Sequence, residues 1–285
     1  MTLAQQRKVI FNDFQYDVLA DLFHEETGIH LIKSRESLIE SRLRKRLFEL
    51  QTDGNQYIKL VKENKDERKR FVDFLTTHKT EWNREMVHFH FLTRWLHQEG
   101  EKIVHQRPLM FWSAASSTGE EAYSLAMHLL RHHYSPDQFR ILGTDISSSC
   151  VNQAQRGAFK FDSLIEELPV EVIKQCFGKA LSEKGERMVQ VKPEVHPSVK
   201  FRVHNLYTDT LPERVEFDVI FLRNVLIYFT PEKCAKIIDR VCRHLRVGGH
   251  LILGLSESLP HGEEYKRQFR YLKPEGSSIF KKVRS

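Results

Sequence analysis

From about Leu109 to the C-terminus, short apolar runs alternate with amphipathic stretches: LMFWSAA, FRILGTDI, KFRVHNL, FDVIFLRNVLIYF, HLILGLSES and SSIFKKV recur between segments of helical periodicity. Strands this apolar are buried on both faces, which requires a mostly parallel sheet with helices on either side. This part of the chain is therefore read as a doubly wound α/β domain. Between about residues 157 and 200 the alternation breaks into PVEVIKQCF, a polar SEKGE and a strand-like RMVQVKPEV. That segment is read as an inserted subdomain, too short to be stable alone.

Residues 1 to 76 read as helices only. FQYDVLADLFHEETGIHL carries apolar residues at helical spacing, and Gly28 is a fitting C-terminal stop. In SRESLIESRLRKRLFELQTDG the residues Ile39, Leu43, Leu47 and Leu50 form one stripe, which leaves Arg35, Arg42, Lys45 and Arg46 largely off it. From Leu31 to Arg70 twelve Lys/Arg stand against seven Asp/Glu. That excess is either a solvated helix face or a docking surface for an acidic partner. The whole chain carries a formal charge of +6, which suits nucleic acid, a membrane surface or a carboxylate-rich protein alike.

Other classes are excluded more firmly. Cys150, Cys176, Cys234 and Cys242 form no C-x-x-C pair and are read as reduced thiols. No apolar run approaches the roughly 18 residues that span a bilayer, and MTLAQQRKVIFNDF has no signal-peptide core, so the protein is read as cytoplasmic. No nucleophile elbow, H-E-x-x-H helix or P-loop is present. His128 and His132 stand four apart on one helix but lack a third ligand, and are read as solvent-facing with no metal bound.

FWSAASSTGEEAYSLAM has the form of a ligand-binding turn between a strand and a helix, placed where open α/β sheets bind ligands. It lacks G-x-G-x-x-G: Gly119 stands alone, and Ala114, Ala115, Ser116 and Ser117 supply small side chains. Glu120 and Glu121 at the helix start would repel a phosphate, so the turn suits a compact ligand with a positive centre. Asp145 ends the next strand, where nucleoside-binding folds place a carboxylate on the ribose hydroxyls. A nucleoside without phosphates but with a cationic centre describes S-adenosylmethionine. Glu120 taken alone is also an ordinary first-turn residue, and Asp145 an ordinary cap.

SAASSTGEEAYSLAM, GTDIS, FLRNVLIYF, LRVGGHLILGLSES and the earlier LTTHKTEWNREMVHF together resemble the bacterial chemotaxis receptor glutamate methyltransferases, the CheR family. The resemblance runs from about residue 14 to 282. It implies an all-α N-terminal domain (1–76), a linker with a cofactor-contacting motif (77–108), and a methyltransferase domain (109–285). The last would have the S-adenosylmethionine-dependent (class I, Rossmann-like) α/β sheet and a small inserted β-subdomain, in some members a dock for a receptor-tail peptide by edge pairing. Carried over residue by residue, cofactor contacts fall on His78, Thr80, Arg84, Ala114, Glu120, Asp145, Asn205, Leu206, Arg223 and Asn224. His78 stands where asparagine is usual, and Trp82-Asn83 replaces a Phe-Phe pair, keeping half of an aromatic wall. The resemblance further implies S-adenosylhomocysteine as product and the cytoplasmic helical bundle of a chemotaxis receptor as partner, and the protein is read as a monomer.

The residue types alone leave blander roles open. Asn205 and Asn224 are also turn-formers, Tyr228 a strand-end aromatic and Arg84 a surface arginine. The resemblance places Arg84 and Tyr228 at the chemistry, where they would hold the incoming carboxylate, and gives Arg35, Arg42, Lys45 and Arg46 the receptor. The missing base fits this acceptor: a glutamate, of reference pKa about 4.3, is already ionised at neutral pH. Two other readings stand beside this one. One is a cofactor-binding scaffold without turnover, motivated by His78, Trp82 and Asn83. The other is a nucleic-acid methyltransferase, against which the chain lacks an N/D-P-P-Y/F motif.

Overall fold

The computed structural model describes residues 10–31, 36–181, 185–272 and 278–284. The chain divides into two compact units, Met1–Thr77 and His78–Ser285.

In the first unit the described residues form helices α1 (Asp13–Thr27), α2 (Glu36–Leu50), α3 (Gly54–Glu63) and α4 (Lys65–Leu75). A reciprocal capping box between Asn12 and Gln15 opens α1, and Gly28, left-handed at φ 75°, closes it. Ile39, Leu43 and Leu47 of α2 are buried, with Leu19, Phe23, Tyr57 and Phe71 completing the core, while Leu50 is half-buried.

Two of the basic residues expected to face a partner are engaged inside this unit. Nη1 of Arg42 donates to the carbonyls of Phe74, Leu75 and Thr76 at 3.2, 2.8 and 2.7 Å, capping the end of α4. Arg46 grips Glu67 with both arms of its fork, Nε to Oε1 at 2.8 Å and Nη2 to Oε2 at 2.5 Å. The Arg46 hydrogen bond is the main influence that holds the Glu67 carboxyl below its usual range. Lys45 is 86% exposed, its ammonium 3.8 Å from Glu49. Arg44, on the same exposed side, pairs with Glu40 at 2.7 Å, and Arg35 lies outside the described residues.

The second unit begins with α5 (Met86–Trp95), which runs through a π-helical turn into α6 (Glu101–Val104). There follow β1 (Leu109–Ala114), α7 (Glu120–Arg131), β2 (Phe139–Asp145), α8 (Ser148–Arg156), β3 (Ala158–Lys160), α9 (Phe161–Glu167) and α10 (Val170–Cys176). Next come β4 (Phe177–Leu181), β5 (Arg187–Val191), β6 (Val199–Val203), β7 (Phe217–Leu222), α11 (Pro231–Cys242), β8 (Leu245–Leu253), α12 (Glu263–Gln268), β9 (Phe269–Leu272) and β10 (Ile279–Lys282).

Seven strands form one sheet in the order β6-β2-β1-β7-β8-β10-β9, and β3-β5-β4 form a small second sheet. The first five are parallel, whereas β10 runs antiparallel to both neighbours. The two-residue side-chain period explains why strands apolar throughout are needed. Phe111, Ile141, Val219, Phe221 and Ile252 pack on the α5 and α7 side, and Trp112, Ala114, Ile220, Leu222 and Leu251 on the α11 side.

The insertion is tied to this core by Trp82, whose ring meets Phe159 at 4.8 Å and Phe177 at 5.7 Å. Trp82 is thus a buried anchor for the small sheet. Between α9, α10 and the β4–β5 pair lies an apolar cavity of about 910 Å³, lined by Phe161, Ile173, Phe177 and Val189 among others.

His128 and His132 also depart from the solvent-facing reading. Both approach the Thr93 hydroxyl, at 3.1 and 3.2 Å, and His128 packs on Phe89. Among the described residues no group of His, Cys, Asp or Glu has metal-site geometry. Burial, the largest cause in each case, pushes His128 down to about 3, and His88 and His250 to about 4. These histidines are neutral when folded and titrate near 6.5 when unfolded, so unfolding takes up protons between those values. Stability is therefore complete above pH 6.5 and is lost as the pH falls, by about 1.4 kcal/mol per pH unit for each histidine. Tm scans from pH 7 to 4.5 should fall steeply, and His128→Asn should flatten that slope.

Candidate active site

The register of the sheet brings the sequence candidates to one edge. Leu253 pairs with Leu222, Leu222 with Ala114, Ala114 with Thr144 and Asp145 with Val203, so the C-terminal ends of five parallel strands lie side by side. The strand order reverses between β1 and β7, the position at which such sheets open a ligand crevice. Ala114 ends β1, and Glu120 opens α7 beyond it.

Between them the backbone is under strain. Ala115 (φ 66°), Ser117 (φ 49°) and Gly119 (φ 99°) are all left-handed, and for the two residues with side chains this costs about 1–3 kcal/mol each. Gly119 also has no room for a side chain: a Cβ there would stand 2.9 Å from Ala154 of α8. Asp145 holds the turn in place. Its Oδ2 accepts the Ser117 N–H at 2.8 Å, and its Oδ1 accepts the Ser147 N–H at 2.9 Å, which also fixes the start of α8. The Ser117 hydroxyl donates to the His78 carbonyl at 3.0 Å, tying the linker segment to the turn.

The carboxylates differ in their tasks. Glu120 accepts from the Thr118 hydroxyl at 2.6 Å, and burial raises its proton affinity against that bond. Glu121, also raised mainly by burial, accepts from the Ser113 hydroxyl at 2.6 Å and from Arg223 Nη1 at 3.0 Å. Arg223 is enclosed, its side chain 1% exposed. Its other nitrogens reach Glu85 Oε2 at 3.0 and 3.3 Å and the Arg84 carbonyl. The Arg223 side chain is a buried clamp between Glu85 and Glu121. Burial works to raise Glu85 too, but the Arg223 charge and the bonds from Asn224 and Arg223 outweigh it and hold its carboxyl low.

Asn224 adopts φ 56°, donates its amide to Glu85 at 3.1 Å and its N–H to Glu257 at 2.7 Å. Glu257 is buried and also accepts the N–H groups of Leu226 and Gly254, both at 2.8 Å. Asn205 makes the turn bond open to its residue type, Oδ1 accepting from Tyr207 N at 2.9 Å, while Leu206 is buried on the α11 side. Thr80 and His78 are half-buried. Arg84 and Tyr228 are half-buried as well, Tyr228 closing a short 3-10 turn. Neither the Arg84 guanidinium nor the Tyr228 hydroxyl meets a partner among the described residues.

Sequence reasoning missed Glu85, Glu121 as a clamp, and Glu257. Arg223 inside the apolar run FDVIFLRNVLIYF was a signal that buried counter-charges must exist. Nothing local named them.

The residues present suit S-adenosylmethionine. A strained turn of small side chains, carboxylates at Glu120 and Asp145, and the buried, unpartnered Ser116 hydroxyl offer acceptors and a donor to a cationic nucleoside and resist a phosphate. The fold and this edge define a class I methyltransferase.

Two family models match the chain: "CheR methyltransferase, all-alpha domain" over residues 15–76 and "CheR methyltransferase, SAM binding domain" over residues 78–273. The chain belongs to the CheR methyltransferases, and its cofactor is S-adenosylmethionine. Among its relatives, a "Chemotaxis protein methyltransferase" of Vibrio parahaemolyticus is 34% identical over 258 residues, covering 88% of this chain and 91% of that protein. One of the same description from Escherichia coli is 30% identical over 268 residues, covering 92% and 91%.

Proposed function

We propose that the protein transfers the methyl group of S-adenosylmethionine to glutamate side chains of chemotaxis receptors, giving glutamate methyl esters and S-adenosylhomocysteine in the cytoplasm. The observation that carries this reading is the pair of unspent donors, Arg84 and Tyr228, at an edge whose other charged groups are mostly engaged with one another. The Arg84 carbonyl meets Arg223, Tyr228 follows Asn224 by four residues, and both side chains donate to oxygen. A carboxylate is the acceptor they fit, Arg84 through its planar fork.

When bound, the cofactor supplies an electrophilic methyl on a sulfonium, held on this reading by Thr80, Glu120, Asp145 and Asn205. Transfer would join the acceptor oxygen to that methyl with S-adenosylhomocysteine as the leaving group, so the residues around it would have no proton to move. No base is needed at neutral pH, since the acceptor is already ionised. The protein aligns oxygen, carbon and sulfur and excludes water, a contribution of roughly 7–11 kcal/mol in favourable cases. Arg84 orients more than it neutralises, because over-stabilising the carboxylate would blunt its attack. Peptide mapping of receptor incubated with enzyme and cofactor tests the reading: methyl groups on glutamates support it, and methyl groups on lysine, arginine or nucleic acid alone refute it.

Receptor recognition rests on the exposed side of α2. With Arg42 and Arg46 engaged internally, Lys45 and its neighbour Arg44, each held only in an exposed pair one turn away, are the α2 cations left to an acidic helical bundle. Exposed charges of this kind act through steering and register. The double variant Lys45→Glu, Arg44→Glu should raise the receptor KM by about fivefold to tenfold at low salt, with kcat unchanged and the effect shrinking as salt rises. An unchanged KM at low salt would remove α2 from recognition. In the small sheet β4 pairs only with β5 among the described residues, and its outer edge offers backbone groups to an extended receptor segment.

A further inference from the structure

The carboxylate of Glu85 joins three segments that are far apart in sequence. Glu85 stands just before α5 in a left-handed conformation (φ 57°, ψ 65°), which a residue with a side chain adopts only against a penalty. Glu85 occupies the N-cap position of α5 and makes no side-chain cap. Its side chain is turned to the strand-end loops instead. Oε2 takes Arg223 Nη2 at 3.0 Å and Nε at 3.3 Å, and Oε1 takes the Asn224 amide at 3.1 Å and approaches the Leu255 N–H at 3.5 Å. The His88 ring, wholly buried, stands 3.4 Å away.

Through Arg223 the effect reaches Arg84. Arg223, gripped by Glu85 and Glu121, donates to the Arg84 carbonyl, so one carboxylate fixes the peptide that presents Arg84 and also the side chain of Asn224. Strain held at a non-glycine position by this many partners marks a place where geometry matters. We propose that Glu85 is a positioning residue for methyl transfer, holding Arg84 and Asn224 in register through Arg223. The inference rests on the carboxylate-methyltransferase reading above.

The test uses full-length Glu85→Gln and Glu85→Ala with receptor-containing membranes. Four quantities are read: Tm, affinity for S-adenosylhomocysteine, kcat per cofactor-binding site, and receptor KM. Glutamine keeps the volume and one acceptor but not the charge on Arg223. Kcat per site is expected to fall about tenfold in E85Q and about 10²-fold in E85A, as for a small misplacement of reacting groups, with receptor KM within about twofold of wild type. Cofactor affinity should fall less than kcat. A residue serving only the fold would lower Tm and the number of binding sites, leaving kcat per site intact; that result overturns the proposal. If E85A does not fold, E85Q decides, and E85Q with wild-type kcat overturns it. A wild-type protein that binds S-adenosylhomocysteine yet methylates no receptor would refute the methyltransferase reading itself, and the positioning role with it.

Discussion

Replacing Arg223 with methionine should destabilise the second unit by about 3–5 kcal/mol, because it leaves two carboxylates facing each other with no cation between them. Glu121 and Glu85 are only 15% and 14% exposed, so water replaces the lost partner only in part. For a unit of this size the fall in Tm is about 10 °C, read by calorimetry. Glu121→Gln made in the same chain should restore part of the loss, since an amide needs no counter-charge; the coupling in the double-mutant cycle measures the clamp. A Tm within two or three degrees of wild type would mean that the triad is not the brace its geometry indicates.

Arg84→Ala should have the opposite signature. Its guanidinium has no partner among the described residues, so Tm should hardly move, while kcat falls by about 10²–10³-fold through loss of the donor proposed to hold the acceptor. Arg84→Lys keeps the charge without the fork and should lie between. Affinity for S-adenosylhomocysteine, measured on the same samples, separates a cofactor contact from an acceptor contact. Full turnover in R84A would end the role given to this residue.

The parts of this molecule that were legible in the sequence are those that depend on local pattern. Apolar runs such as FDVIFL could only be buried strands, Gly28 could end a helix, and the SAASSTGEE turn stated its ligand preference through the glycines it lacks and the acids it has. Long-range pairing was not legible. Arg46 finds Glu67 across 21 positions and Arg223 finds Glu85 across 138, and no periodicity encodes such distances. Arg42 and Arg46 therefore read as available cations when each is engaged within its own unit, and the counter-charges of Arg223 could not be named. The same blindness hid His128, whose helical spacing matches a surface pair until α5 packs against it. The contacts of Trp82 with Phe159 and Phe177 follow the same rule, since they span 77 and 95 positions.

The most direct test of glutamate methylation is transfer of labelled methyl from S-adenosylmethionine to receptor-containing membranes of the same source, followed by mild alkali. Methyl esters hydrolyse to volatile methanol, whereas methylated amines and bases keep their label. The account predicts protein-bound label that alkali releases as methanol; protein- or nucleic-acid-bound label that survives alkali would contradict it.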